Sequence, residues 1–154
     1  MPKFTVRNLN MFLLYKIPSA YITGVRVKSF SETEAVATVK KRWINQNPFK
    51  SLYWAVQGMA SELATGILVM YQIKKSKQNI SMLVTKQSGI FTKKAKGKIH
   101  FTCNDGSRIA DAIKKTISTG EGVTVLLTST GMDENGETVS TFEYEWGLKI
   151  RQKK

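Results

Sequence analysis

The sequence predicts an α+β domain, a curved and mostly antiparallel sheet wrapped around one long central helix. Three observations predict it. The stretch from about Ser51 to Lys75 is apolar on nearly every side, so a helix there must be enclosed rather than lie on a surface. Segments before and after it alternate apolar and polar residues with period two, as half-buried strands do. Near the end, "DENG" contains Asn135-Gly136, a strong hairpin signal.

The elements follow in chain order. An amphipathic helix is expected over about Thr5 to Lys16, stopped by Pro18. "YITGVRVKSFSETEAVATVKKRW" reads as two strands around the turn Ser31–Glu34, the first carrying Tyr21, Thr23, Val25 and Val27 on one face. The long helix comes next, and its small residues Gly58, Ala60, Ser61, Ala64 and Gly66 would let a sheet approach closely. Asn47 before Pro48 is a good helix N-cap, with proline at the first helical position. "NISMLVTKQSGIFT" and "AKGKIHFTCND" are strand-like, and Ile99, Phe101 and Cys103 share one face of the second. "DGSRIADAIKKTIS" reads as a short amphipathic helix with Ile109, Ile113 and Ile117 four apart and Gly120 just past its end. A hairpin closes the chain, with Phe142, Tyr144, Trp146, Leu148 and Ile150 alternating onto one face. The only parallel crossover this order calls for is the one across the long helix. No repeat, low-complexity tract or linker interrupts it, so residues 1–154 are expected to form a single domain.

Composition narrows the function classes. The single cysteine, Cys103, excludes an intramolecular disulfide, and a reducing cytoplasm is the simplest compartment. "MFLLY" near the N-terminus is too short for the apolar core of a signal peptide. The segment Leu52–Ile73 is long enough to span a bilayer, but Glu62 at its centre, with Gln57, Ser61 and Thr65 nearby, argues against a span. The net charge of +13 points to anionic partners without choosing among nucleic acid, an acidic membrane surface and a phosphate-rich ligand. No zinc, calcium, Gly-rich nucleotide or Ser-His-Asp pattern is present, and the lone His100 has no partners at metal spacing.

This order of elements, together with "MASELATG" on the long helix and "FTKKAKGKIHFTCNDG" after the third strand, resembles the hotdog-fold thioesterases, and among them the phenylacetyl-CoA thioesterase-like branch. Many enzymes there carry Asn, then His-Gly-Gly, then a helix with Leu-Ala-Asp or Leu-Ala-Glu, the acidic residue fifteen positions after the Asn; Asn47 and Glu62 have that separation. Tyr53, Trp54 and Ala55 stand where the family has His-Gly-Gly, Lys50 stands at a glycine-containing loop position, and the short helix Ser107–Ser118 looks like an insertion. The resemblance covers roughly Tyr21 to Ile150. It implies hydrolysis of an acyl-CoA thioester at a site formed between two subunits, hence a homodimer or dimer of dimers. It implies no metal or redox cofactor, CoA entering only as part of the substrate.

Glu62 is the first candidate. A buried, unpaired carboxylate costs several kcal/mol, roughly, so it is exposed, paired or needed. The resemblance makes it a general base or a nucleophile at the thioester; otherwise it is a structural carboxylate. Asn47 is either a helix cap or an organiser of the loop over the thioester. Tyr53 and Trp54 are either core or interface aromatics, or a substrate-facing hydroxyl and, with Ala55, backbone N–H donors to an oxyanion. Lys93, Lys94, Lys96 and Lys98 are either a solvated face or, as the resemblance implies, the contact for the CoA phosphates. Two rivals stand beside hydrolysis. One is a non-catalytic hotdog protein that binds acyl-CoA or a fatty acyl group. The other, weaker one is a nucleic-acid binder, against which the aromatics are not interleaved with the Lys/Arg runs as stacking platforms would be.

Overall fold

The computed structural model describes residues 3–152. Helix α1 (Val6–Lys16) is capped by the Thr5 side chain, which accepts the Asn8 N–H, and buries Leu9 and Leu13. Pro18 does more than stop it: the proline opens a second short helix, α2 (Pro18–Ile22), at its first turn. Tyr21 therefore lies in a helix, and the first strand, β1 (Arg26–Phe30), starts later than its alternation suggested. Period two and one helical turn look alike over so few residues, and Pro18, with its φ already helical, decides the matter locally.

Strand β2 (Ala35–Lys40) follows, then a 3₁₀ turn at Trp43–Asn45 and a loop into α3 (Trp54–Ser76). The remaining elements are β3 (Ile80–Phe91), β4 (Lys98–Cys103), α4 (Gly106–Thr119), β5 (Val123–Met132) and β6 (Thr138–Ile150). Gly120 ends α4 with φ 73° and Gly136 makes the last hairpin turn with φ 77°, both in the left-handed region where glycine carries no Cβ penalty. The six strands form one sheet in the order β1-β2-β4-β5-β6-β3, and every neighbouring pair is antiparallel. The long helix carries the chain from β2 to the far edge, so β3 pairs with β6 and no parallel pair arises among the described residues.

Helix α3 packs across β2, β4, β5 and β6. Its buried side includes Val56, Ala60, Leu63, Ala64, Ile67 and Leu68. Polar contacts fix its register against β6. Ser140 Oγ donates to Gln57 Oε1 at 2.7 Å, Ser61 Oγ and Tyr144 OH share a 2.6 Å bond, and Trp146 Nε1 donates to Thr65 Oγ1 at 3.0 Å. Each of these polar groups is buried and hydrogen-bonded, as buried polar groups must be. Helix α4, the apparent insertion, packs on α3, β5 and β6 through Ile109, Ala112 and Ile113.

Candidate functional site

The helix does not begin at Pro48. Asn47 instead heads a tight loop: its Oδ1 accepts the Phe49 and Ser51 N–H groups at 3.0 and 3.2 Å, and Lys50 N–H bonds back to Asn47 O. An Asn side chain can cap a turn as readily as a helix, and here the turn wins. The N-cap of α3 is Tyr53, whose side chain makes no capping bond. The loop is held in place at both ends. Gln46 and Leu52 form an isolated bridge, Leu52 N–H donates to Ala95 O, and Tyr53 N–H donates to Asn45 O.

Lys50, at the position where the related motif has glycine, has φ 60°. The backbone there keeps the left-handed conformation that glycine favours, now carrying a side chain.

Together these segments shape a cleft of about 540 Å³ lined by Asn47, Phe49, Tyr53, Trp54, Phe91 and Lys94, with Gln57 one turn inside the helix and Lys93 beside Lys94. The fold thus brings together Asn47, Tyr53, Trp54, Lys93 and Lys94 from segments about forty residues apart. The N–H groups of Trp54 and Ala55 have no acceptor among the described residues, as expected in the first turn of a helix. The Tyr53 and Trp54 rings meet edge to face, 6.0 Å apart, and both are about half exposed.

The lysines do not act as a set. Lys93 Nζ is held by Asp133, at 2.8 Å, and by Glu137, and these carboxylates raise its pKa. Lys94 leans towards the Phe49 ring at the mouth of the cleft. Lys96 lies with Lys93 and Lys94 around a neighbouring depression, and Lys98 faces solvent on β4 opposite Lys40.

Glu62 lies outside this cleft, two helical turns beyond Ala55, or about 10 Å along the axis. It shares a helix face with Ala55, Gly58 and Met59, and all four are half-buried, so this stripe of the helix is only partly covered, between the exposed Trp54 and the exposed end at Lys74 and Lys75. A Cβ built on Gly58 would meet nothing within 4 Å, so the space above the stripe is open. The Glu62 carboxylate lies over Gly66 beside the Trp146 ring and has no hydrogen-bond or ion-pair partner among the described residues. Desolvation pushes its pKa above the ordinary carboxylate value. Neighbouring Tyr144 is pushed to about 12, chiefly by burial, with a smaller contribution from the Glu62 charge. Of the three possibilities for Glu62, pairing is therefore not met among the described residues.

Gln57 lines the cleft, and Ser61 and Thr65 continue its polar row along α3, three residues that the motif does not single out. Their signal was present: three polar side chains at i, i+4 and i+8 in an apolar helix must meet polar partners. Phe49 and Phe91 were also unmarked, since a loop and a strand end meet there only in the folded chain.

The sequence profile of a domain of unknown function, DUF4442, matches residues 7–148. The chain belongs to that family. Solved structures share its architecture. A Pseudomonas aeruginosa protein of unknown function, described as a "probable thioesterase", superposes with a TM-score of 0.82 at 20% identity, covering 98% of this chain and 99% of that one. A Chlorobaculum tepidum protein of unknown function gives 0.80 at 13% identity, with 95% and 94% covered. A Haemophilus influenzae thioesterase gives 0.70 at 15% identity, with 96% and 92% covered. No curated protein matches in sequence. The fold is a hotdog fold, as the resemblance implied. Among the described residues, no helix is long and apolar enough to cross a membrane.

Proposed function

We propose that this protein is an acyl-CoA thioesterase in which Glu62 acts as general base or nucleophile. The observation that carries the reading is the carboxylate itself. It is half-buried, without a partner among the described residues, shifted upward in pKa by desolvation, and set on the partly covered stripe of the central helix in a fold shared with proteins described as thioesterases. A carboxylate kept away from cations and partly from water is a better base near neutral pH than an exposed one. The free N–H groups of Trp54 and Ala55 would receive the developing oxyanion, and Asn47 and Tyr53 would orient substrate or water at the cleft. Lys94, Lys96 and Lys98 would attract the CoA phosphates, with Lys93 contributing less because Asp133 and Glu137 already hold it.

Glu62 and the cleft lie about 10 Å apart along one helix, which is compatible with a site completed by a second subunit. Strand β3 supplies a place for one. It is an edge strand with Leu83, Ile90 and Phe91 exposed, and such an edge pairs readily with a second copy. The proposed assembly is a homodimer or a dimer of dimers, and the proposed compartment is the cytoplasm. The chemistry asks for no metal or redox cofactor.

A second reading has one observation in its favour. Trp54 stands at the cleft in place of a glycine, and this bulk suits a protein that holds an acyl-CoA or fatty acyl group without cleaving it. Acyl-CoA esters of graded chain length, followed by thiol release, test the two. Turnover lost in Glu62→Gln supports hydrolysis. Saturable binding of the esters without thiol release selects the binding protein.

A further inference from the structure

The connection between β2 and α3 carries a surface that the cleft does not use. Trp43 is 84% exposed at the tip of the 3₁₀ turn, and Ile44 beside it is 49% exposed. The turn is rigidly held, because Asn45 is buried and its Nδ2 donates to Thr23 O at 2.9 Å and Lys40 O at 3.0 Å, while its Oδ1 accepts the Arg42 N–H. The same bonds bring up the end of α2, whose Ile22 is 59% exposed, and the Arg42 guanidinium lies against Gly24. Lys41 N–H donates to Gly97 O, which joins the β3–β4 loop to the group. Exposed apolar side chains from the end of α2 and from the 3₁₀ turn thus lie on neighbouring segments, and Lys40 and Arg42, with Lys96 and Lys98 that the proposed function also uses, are exposed beside them. Glu134 reaches this region, but its carboxylate accepts the Lys98 backbone N–H at 2.8 Å.

We infer that this face docks the protein onto an anionic phospholipid surface. A tryptophan held out from the fold beside aliphatic side chains and ringed by Lys and Arg suits the boundary between headgroups and acyl chains, where indole rings settle and basic residues meet phosphates. The isoleucines discriminate against nucleic acid, for a stacking platform would offer further aromatic faces in their place. The net charge of +13 supplies long-range attraction to the same surface. The inference is independent of the role of Glu62. The docking turn nevertheless continues directly into the cleft, since Tyr53 N–H is bonded to Asn45 O.

The full chain, sedimented with vesicles of phosphatidylcholine alone or mixed with phosphatidylserine, tests it. The wild type is expected to bind the mixed vesicles, to bind the neutral ones weakly, and to lose binding as salt rises. Trp43→Ser with Ile44→Ser should lower the partition coefficient at least tenfold, and Lys40→Gln with Lys96→Gln should lower it about fivefold per lysine. These side chains are exposed, so circular dichroism and light scattering should match the wild type. Absence of binding to phosphatidylserine vesicles overturns the inference, as does binding that survives the Trp43/Ile44 change. Loss of the oligomer in the Trp43/Ile44 variant would assign the face to a second copy instead. Trp43-dependent binding of single-stranded RNA without vesicle binding would assign it to nucleic acid.

Discussion

Ser61 and Tyr144 share a 2.6 Å hydrogen bond across the helix–sheet interface, and the next residue along the helix is Glu62. The Tyr144 hydroxyl also donates to Gly58 O, so one phenol ties down both the turn before the carboxylate and its neighbour. The backbone that carries Glu62 is thus held against β6 by a bond that Glu62 does not make.

Tyr144→Phe keeps the ring, which stacks with Phe142, and removes the hydroxyl. Ser61 Oγ retains Gly58 O as acceptor, so no buried donor is stranded. The expected loss is about 1 kcal/mol, or roughly 2–4 °C in Tm for a chain of this size. Thermal unfolding checks it. A drop in kcat larger than the lost folded fraction would show that the register of α3 matters to the chemistry at Glu62.

Lys50 gives the opposite sign. A side chain at φ 60° costs roughly 1–2 kcal/mol, and replacing it with glycine relieves that while loosening the unfolded chain. Lys50→Gly should therefore stabilise by about 0.5–1 kcal/mol, measured as an upward shift in the denaturant midpoint with an unchanged slope. A destabilised variant would mean that the lysine makes a contact outweighing its backbone strain.

The fold was legible because its signals are local and agree with one another. The enclosed helix, the alternation of Ile99, Phe101 and Cys103, the cap at Gly120 and the turn at Asn135-Gly136 each point to one conformation, and the burial of all three β4 residues bears this out. The long helix expected from about Ser51 begins at Trp54, and of the two readings of Asn47 the helix cap fails, because Asn47-Pro48 is equally good chemistry for a turn and only the bridge of Gln46 with Leu52 decides between them. The cleft was half legible. Asn47, Tyr53 and Trp54 were marked, but Phe91 and the pairing of Lys93 with Asp133 and Glu137 depend on contacts between residues forty or more apart. No period in a sequence reports such contacts.

That pairing divides the four lysines experimentally. If Lys94, Lys96 and Lys98 attract the phosphates of CoA, they act on substrate and transition state alike, and Gln at all three should raise KM severalfold with kcat nearly unchanged. Lys93→Gln should move KM less, because it removes a charge already offset by Asp133 and Glu137. Steady-state kinetics at low and moderate salt check both. Equal effects from Lys93 alone and from the other three together would contradict the division.

Gly58 separates packing from passage. A Cβ there meets nothing, so Gly58→Ala should stabilise the helix by about 0.8–1 kcal/mol. Gly58→Phe would fill the open space between Ala55 and Glu62. If substrate lies along that stripe, the phenylalanine variant should melt near the wild-type temperature yet show little thiol release. Wild-type turnover by Gly58→Phe would place the acyl group elsewhere.

Glu62 itself makes a prediction with a definite sign. Its folded pKa is raised by desolvation, so folding favours the protonated form. The contribution of this group is fully present below the unfolded carboxylate pKa and is lost as pH rises through the raised folded value. The wild type should therefore lose some stability over that interval, from the ordinary carboxylate range upward, and Glu62→Gln should not. At neutral pH the variant should be at least as stable as the wild type, because a charge without a partner has been replaced by a neutral group of the same shape. Activity should move the other way. A base works only when deprotonated, so kcat/KM should rise with pH through an apparent pKa above the usual carboxylate value, and Glu62→Gln should cut kcat by about 10²–10⁴-fold. Tm and thiol release measured on one preparation across pH decide the point. A variant that is less stable at neutral pH, yet turns over acyl-CoA at the wild-type rate, would show that Glu62 finds its partner in the assembled protein and that the chemistry belongs to another group.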